Sequence, residues 1–269
     1  MTYRADVLAL TPTVYMPMDD ASGATCLDVS GNGYNGTLHG TYQRGIPCPV
    51  GSRTFGTFFD GVSGYLQNGA RFTTQSKLTL VCWLFVTTYD ATQRWLYTIG
   101  DPNAVGPSPF WRADQVGGTQ ACGISKGDGV NYQERRFARA PDSAWSMFAA
   151  TFDTNAAVAN DEVKVYMQGN LTTVTVITNP AIGGNWQNAD GYFMRQGINN
   201  ALYLQGSLAD VAIWSGTLLT LPQLSALNRS GGGFGAGTAT LSGQALGQAS
   251  LDAILADLDS LLHRTFPAP

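Results

Sequence analysis

The chain has 269 residues, a net charge of −4, 32 glycines, 12 prolines and only 13% charged side chains. A chain of this length buries roughly three quarters of its surface, so it needs no disulfide scaffold. The negative charge argues against a nucleic-acid partner, which requires a basic face. No apolar stretch is long enough to cross a bilayer, and the amino terminus lacks the basic start and apolar run of a secretory signal. We therefore expect neither membrane insertion nor a signal peptide.

The cysteines predict little about the fold. Cys26 and Cys48 flank a turn-rich segment and would be able to pair in an oxidising environment, with two reduced thiols as the alternative. Cys82 lies among leucines on one face of an alternating segment, which is typical of a small core residue.

Strand patterns dominate the middle of the chain. Lys77–Val86 has apolar residues on both faces, which predicts a strand covered on both sides. Phe148–Phe152 also has a strand pattern. Glu162–Met167 and Thr172–Ile177 predict a hairpin, with Gly169-Asn170 supplying the positive φ of its turn.

The patterns after residue 200 predict two more strands and a helix. Leu202–Leu208 and Val211–Trp214 have strand patterns, and Thr220–Asn228 begins with a threonine cap and has leucines at helical spacing. Short strands separated by Gly, Asn and Asp turns favour a β-sandwich over a parallel α/β sheet. We expect one domain over residues 1–229.

The composition changes after this helix. Residues 230–247 are rich in glycine and small residues, as in a flexible linker, and residues 248–269 carry an amphipathic helix capped by Ser250. A helix of about four turns is marginal alone, so its apolar stripe is expected to dock on the same chain, on sibling copies or on a larger assembly. The loose tether favours an intermolecular contact and a homo-oligomer. The stripe contains Leu251, Ile254, Leu255, Leu258, Leu261 and Leu262.

Six different motifs follow one another along the chain: Pro12–Gly23, Asp28–Leu38, Phe59–Gly61 with Gly64–Leu66, Leu78–Val86, Trp145–Asp153 with Val163–Leu171, and Gln205–Leu227. In that order they resemble the motifs of LamG-like jelly-roll domains in the concanavalin A-like lectin/glucanase superfamily. The resemblance implies an all-β, two-sheet antiparallel jelly-roll sandwich, followed by a short C-terminal helical tail.

The same resemblance implies a structural Ca²⁺ site near Asp28 and Asn32, completed by Asp210. Carbonyl and carboxylate oxygens are the ligands that Ca²⁺ prefers. The family's common Asp-Asp-Val is Ala209-Asp210-Val211 here, so one carboxylate is missing. The alternative is a turn satisfied by its own hydrogen bonds.

The sequence predicts no enzyme. Glucanases of this superfamily carry two glutamates on one strand, and retaining hydrolysis needs two carboxyl groups about 5–5.5 Å apart. Glu134 and Glu162 are the only glutamates in the chain, and they lack that spacing. No serine, cysteine or histidine motif for a nucleophile is present, nor is a zinc-binding spacing.

Loop aromatics beside polar residues are the candidates for binding a sugar. Trp186 is the preferred one, because amides and turn residues surround it, and half-buried loop anchors are the alternative for each candidate. The candidates are Trp186 with Asn185 and Asn188, Tyr192, and Trp111 with Arg112.

Two functions fit these patterns. The first is a bacteriophage virion protein, namely a minor tail, baseplate or fibre component, with a lectin-like domain that attaches to a host surface or glycan. In this interpretation the C-terminal helix contacts other virion proteins or sibling copies, and a capsid-decorating role fits the same observations. The second is a free carbohydrate-binding protein.

Overall fold

The structure is a computed structural model, and it describes most of the first 232 residues. Its strands pair antiparallel in two sheets, which confirms the predicted all-β two-sheet sandwich. The described residues are 2–48, 55–69, 72, 75–87, 94–100, 106–113, 119–125, 132–138, 140, 143–187, 189–197 and 202–232.

Sheet A has eight strands and sheet B has nine, numbered in chain order. From one edge to the other, sheet A contains β14 (Asn170–Leu171), β13 (Val163–Met167), β12 (Trp145–Asp153), β7 (Lys77–Val86), β17 (Gln205–Ser215), β5 (Phe55–Asp60) and β4 (Tyr42–Pro47), and β1 (Val14–Met16) also pairs with β17. Sheet B contains β15 (Thr175–Thr178), β11 (Tyr132–Ala138), β10 (Thr119–Ser125), β9 (Ser108–Ala113), β8 (Arg94–Ile99), β16 (Gly191–Phe193), β6 (Tyr65–Asn68), β3 (Gly36–His39) and β2 (Thr25–Cys26).

Strand β7 is buried on both faces, as its sequence predicts. Leu80 and Cys82 belong to the core between the two sheets, whereas Val81 and Trp83 belong to a second cluster on the outer face of sheet A. Successive side chains of a strand point to opposite faces. A strand that is buried on both faces therefore has an uninterrupted run of apolar residues. Each fully buried side chain of this kind contributes about 1.5–3 kcal/mol.

Two helices cover the outer face of sheet A. These are α1 (Tyr3–Ala9) and α2 (Leu221–Ser230), and a 3₁₀ turn (Ala159–Asp161) lies elsewhere. Thr220 is the N-cap of α2 as predicted, and its backbone N–H donates a hydrogen bond to Gln223 Oε1 at 2.8 Å. The sequence did not predict α1, because seven residues carry too short an apolar pattern. Tyr3 packs edge-on against Trp83, with ring centroids 6.2 Å apart.

The predicted hairpin is wrong in its second arm. Strand β13 turns into β14, which is two residues long, and the turn takes positive φ at Gln168 and Gly169 rather than at Gly169 and Asn170. The chain then crosses to the other sheet, where β15 pairs with β11. A strand pattern reports the burial of alternate side chains, not which neighbour the strand pairs with.

The last predicted strands, Leu202–Leu208 and Val211–Trp214, are largely one strand. Strand β17 runs from Gln205 to Ser215, and its register with β7 shifts between Ala209 and Ala212. Asp210 lies in this bulge with φ of +48°.

The two cysteines that the sequence left open are both reduced thiols here. Cys26 belongs to the core between the sheets, whereas Cys48 belongs to the cluster on the outer face of sheet A. Cys82 is a fully buried core residue, as predicted.

The described part of the chain belongs to one compact unit that ends at Gly235. The predicted linker at residues 230–247 lies almost entirely outside the described residues, and the helix at 248–269 lies wholly outside them. Both stay predictions. Within the described ranges, no helix is long and apolar enough to span a membrane.

Candidate binding surface on sheet B

The outer face of sheet B is the candidate surface, because α1 and α2 occupy the outer face of sheet A. Leu66 and Phe193 point into the core, so Tyr65, Gln67 and Tyr192 point outward by strand alternation. Gln67 of β6 is opposite Tyr192 of β16. These outward side chains are partly exposed and are either aromatic or polar.

Five side chains form what we call the tyrosine–arginine cluster: His39, Tyr65, Tyr192, Arg195 and Tyr203. The guanidinium carbon of Arg195 lies 3.8 Å from the ring centroid of Tyr65 and 4.4 Å from that of Tyr192. His39 stacks on Tyr65 at 4.6 Å with an interplanar angle of 13°, and Tyr203 lies 6.3 Å from Tyr65. Cation–π contacts of this kind contribute about 0.5–2 kcal/mol each, so the rings are held in fixed orientations.

Polar groups adjoin these rings. Gln67 Nε2 donates to Asp190 Oδ2 at 2.5 Å. Burial and the Asp190 carboxylate raise the pKa of Tyr192, and Arg195 only partly offsets them. The Tyr192 hydroxyl is therefore protonated at neutral pH and is able to donate a hydrogen bond. Aromatic faces beside amide, hydroxyl and carboxylate groups form the combination that binds sugar rings in sandwich lectins.

A second charged group, which we call the arginine pair, lies on the same face. Glu134 accepts from Arg112 Nη2 and from Arg136 Nε, each at 2.6 Å. The Glu134 side chain is 3% exposed, whereas those of Arg112 and Arg136 are 16% and 24% exposed. The Arg112 guanidinium also lies 5.2 Å from the ring centroid of Phe110.

The structure contradicts two of the predicted sugar-binding aromatics. Trp186 is 2% exposed and packs edge-on against Phe152, and Trp111 is 1% exposed and packs against Phe148. Both belong to the core between the sheets, so neither ring face is available to a ligand. Trp186 is followed by turn residues in the sequence, but the loop folds inward and uses the indole as an apolar anchor.

The other predicted residues are scattered. Asn185 is exposed beside the buried Trp186, and Asn188 lies outside the described residues. Tyr192 belongs to the tyrosine–arginine cluster and Arg112 to the arginine pair. Sequence reasoning missed four members of the cluster. The alternation of Tyr65, Leu66 and Gln67 would have placed Tyr65 outward, but nothing in the segment around Arg195 indicates its position.

The predicted calcium ligands make hydrogen bonds within the protein. Asp28 Oδ1 accepts from the backbone N–H groups of Tyr15 and Ser30, and Oδ2 accepts from the N–H of Tyr34 and the hydroxyl of Ser30, all at 2.9 Å. Its carboxylate is therefore already occupied by four donors, whereas Ca²⁺ requires six to eight oxygen ligands.

The remaining two predicted ligands point to other partners. Asn32 donates its amide nitrogen to the carbonyl oxygen of Thr13 at 3.0 Å. Asp210 is 1% exposed and accepts from the Tyr15 hydroxyl at 2.5 Å. Across the described ranges, no group of three or more His, Cys, Asp and Glu side chains is placed to hold a metal ion. Calcium binding stays a prediction that this donor set does not support.

The comparisons with known proteins identify the class to which the sandwich belongs. A laminin G model, described as the concanavalin A-like lectin/glucanases superfamily, matches residues 60–221, which is more than half of the chain. The chain belongs to this superfamily. None of the curated proteins compared with the chain matches it significantly.

Solved structures with a similar fold are distant in sequence. Domain 4 of AbnA, an extracellular arabinanase from Geobacillus stearothermophilus in complex with arabinotriose, is 17% identical with a TM-score of 0.59; the match covers 81% of this chain and 98% of that one. A structure of botulinum neurotoxin type C, whose cell entry depends on interaction with two ganglioside molecules, is 11% identical with a TM-score of 0.60; the match covers 84% of this chain and 52% of that one. The chain thus spans about half of the neurotoxin chain. At these identities the likeness shows the fold alone.

Proposed function

We propose that this chain is a non-catalytic, glycan-binding component of a bacteriophage virion, and that the tyrosine–arginine cluster is its sugar-binding surface. The observation that carries the proposal is the cluster itself: partly exposed rings, ordered by Arg195 and bordered by polar groups, on the outer face of sheet B. A similar sandwich in complex with arabinotriose supports the ligand class.

The positions of the two glutamates support a non-catalytic role. Glu134 is held between Arg112 and Arg136. Glu162 accepts from Gln133 Nε2 at 2.6 Å and from the N–H of Ile182, and burial raises its pKa. Each carboxylate is thus committed to structural partners on its own side of sheet B, since neighbouring residues Gln133 and Glu134 point to opposite faces.

The virion location rests on the sequence pattern that follows the sandwich. A glycine-rich segment leads to residues with a leucine stripe, and such a stripe requires an apolar partner. Sibling copies or other virion proteins in the tail, baseplate or fibre would supply that partner, and a capsid-decorating protein would use it in the same way. The alternative is a free carbohydrate-binding protein whose tail contacts its own sandwich.

Replacing Tyr192 by alanine is expected to reduce the affinity for any glycan that the wild type binds by about tenfold. The change removes one of the two rings that order Arg195, and a stacked ring contributes about 1–2 kcal/mol. Binding is measured on a glycan array and then in solution by calorimetry. Tyr132→Ala is the matched control, because Tyr132 lies at the start of β11, away from the cluster. Equal losses in both variants, or no glycan bound by the wild type, would contradict the proposed surface.

Truncation after Gly232 is expected to convert an oligomer into a monomer. The truncated chain retains α2, which ends at Ser230, so this helix still covers the outer face of sheet A. The mass is measured by light scattering for the full chain, whose protomer mass is 28.6 kDa, and for the truncated chain. Leu255→Gln with Leu258→Gln in the full chain should act like the truncation, whereas Asp252→Asn with Asp259→Asn should not. If the full chain is already monomeric, the result contradicts assembly through the C-terminal helix and favours the free carbohydrate-binding protein.

A further inference from the structure

A hollow of about 480 Å³ lies between the loop that follows α1 and the turn that precedes β3. Sites for small ligands have volumes of about 300–1,000 Å³, so this hollow is large enough to hold one. Thr11 and Pro12 line it from the loop, and Ser30, Asn32 and Tyr34 line it from the turn. It contains no member of the tyrosine–arginine cluster and is therefore separate from that surface.

The side chain of Asn32 is held in one orientation at the edge of the hollow. Its Nδ2 donates to the carbonyl oxygen of Thr13 at 3.0 Å and to Ser30 Oγ at 3.2 Å. Ser30 Oγ in turn donates to Asp28 Oδ2 at 2.9 Å, so the turn holds both side chains in place. Among the described residues, Asn32 Oδ1 has no hydrogen-bond donor. The turn thus provides one ordered acceptor.

Tyr34 provides an aromatic ring to the same hollow. Its backbone N–H donates to Asp28 Oδ2 at 2.9 Å, and its carbonyl accepts from Asn68 Nδ2 at 2.7 Å. The residue is 37% exposed, and its hydroxyl makes no hydrogen bond within the described part of the chain. Pro12 and the half-buried Leu8 add apolar surface. A ligand would therefore contact the ring without breaking any of these backbone hydrogen bonds.

The chemistry of the hollow favours an uncharged ligand. None of the described residues that line it is charged, so an ionic group would lose hydration there without gaining a charged partner. The amide oxygen of Asn32 accepts hydrogen bonds, and the hydroxyls of Thr11 and Tyr34 both donate and accept them. The Tyr34 ring, Leu8 and Pro12 provide an apolar surface beside these groups. A neutral sugar unit combines hydroxyl groups with an apolar C–H face and matches both parts of this lining.

We propose that this hollow is a second saccharide-binding site, for a neutral sugar unit, and that Asn32 and Tyr34 contact the sugar directly. The inference goes beyond the proposed function, which places sugar binding at the tyrosine–arginine cluster alone. Tyr34 and His39 are five residues apart, so their Cα atoms are at most about 18 Å apart. A glycan that reaches both sites would bind more tightly than it binds to either site alone.

The test is a titration of the ¹⁵N-labelled full chain with free neutral sugars and with the corresponding uronic acids, followed by NMR in EDTA so that no calcium bridges protein and sugar. We expect at least one neutral sugar to shift the side-chain amide signal of Asn32 and the backbone amide signal of Tyr34. Its uronic acid should bind about tenfold more weakly. Tyr34→Ala should weaken binding of the neutral sugar about tenfold, and Tyr34→Phe, which removes only the hydroxyl, about threefold.

Both variants should fold, because the hydrogen bonds of Tyr34 come from its backbone, and equal melting temperatures check this. The matched control is Phe55→Ala, which removes a 47% exposed ring from β5 of sheet A and should leave the affinity unchanged. Shifts confined to the tyrosine–arginine cluster, or equal losses in Tyr34→Ala and Phe55→Ala, overturn the second site and leave the proposed function standing. Tighter binding of the uronic acid overturns the neutral class. If no sugar shifts any signal, the inference fails, and the glycan array decides the proposed function separately.

Discussion

Replacing Trp186 by alanine is expected to lower the free energy of unfolding by about 3–5 kcal/mol, the usual cost of removing a large aromatic side chain from a packed core. Trp186 is 2% exposed, and its ring lies edge-on to that of Phe152, with centroids 6.3 Å apart. Its backbone N–H also donates to the carbonyl of Gln75 at 3.1 Å, so the loop that carries it is tied to the sandwich. The measurement is urea unfolding followed by far-ultraviolet circular dichroism.

The neighbouring residue provides the control for Trp186. Asn185 is exposed, and Asn185→Ala should change stability by no more than about 0.5 kcal/mol. If Trp186 were instead a sugar platform, Trp186→Ala would leave stability near that of the wild type and remove glycan binding. That result would return the site to the 185–188 loop.

Replacing Asp28 by alanine is expected to lower the free energy of unfolding by about 2–3 kcal/mol. The carboxylate accepts four hydrogen bonds, from Tyr15, Tyr34 and two groups of Ser30. Hydrogen bonds to a charged acceptor contribute about 1.5–3 kcal/mol in buried sites, and this site is partly exposed, so the sum is discounted. Asp28→Asn keeps one acceptor oxygen, so its free energy of unfolding should fall by about half as much as that of Asp28→Ala. The melting temperature and urea midpoint of each variant give the comparison.

The same variants also test the predicted calcium site. A cation that binds only the folded chain raises its melting temperature. Because the Asp28 oxygens already accept four donors, we expect the same wild-type melting temperature in calcium and in EDTA. Asp161→Ala, which removes an exposed carboxylate, should match the wild type in both. A calcium-dependent rise that Asp28→Ala abolishes would restore the predicted calcium site.

The sequence predicted well where burial alone decides the pattern. Strand β7 has its predicted bounds, and Thr220 caps α2, because both follow from local chemistry. The partner of β15 was not predictable, since two sheet edges were equally compatible with its pattern. The same limit applies to the site. Tyr192 was among the candidates, but its grouping with Tyr65 depends on a contact between residues more than a hundred positions apart in the chain.

Trp186 shows the opposite error. Glycine and amide residues around a tryptophan predict a surface loop. They indicate that the backbone turns there, but they do not indicate whether the tryptophan side chain points to solvent or into the core. Trp111 failed in the same way: it lies beside the outward-facing Arg112 on β9, and adjacent positions of a strand face opposite sides. A prediction that treats the two neighbours as one site cannot be right for both.

The packing of α2 gives the molecule a front and a back. The last described residues follow α2, and Gly231 lies so close to the Trp83 ring that a Cβ there would approach it within 2.4 Å. The last described residues therefore lie on the outer face of sheet A, and the tyrosine rings lie on the outer face of the other sheet. Any side chain larger than that of glycine at position 231 would force the Trp83 ring or the end of α2 to shift, and it would do so on the face of the sandwich that the tyrosine rings do not share.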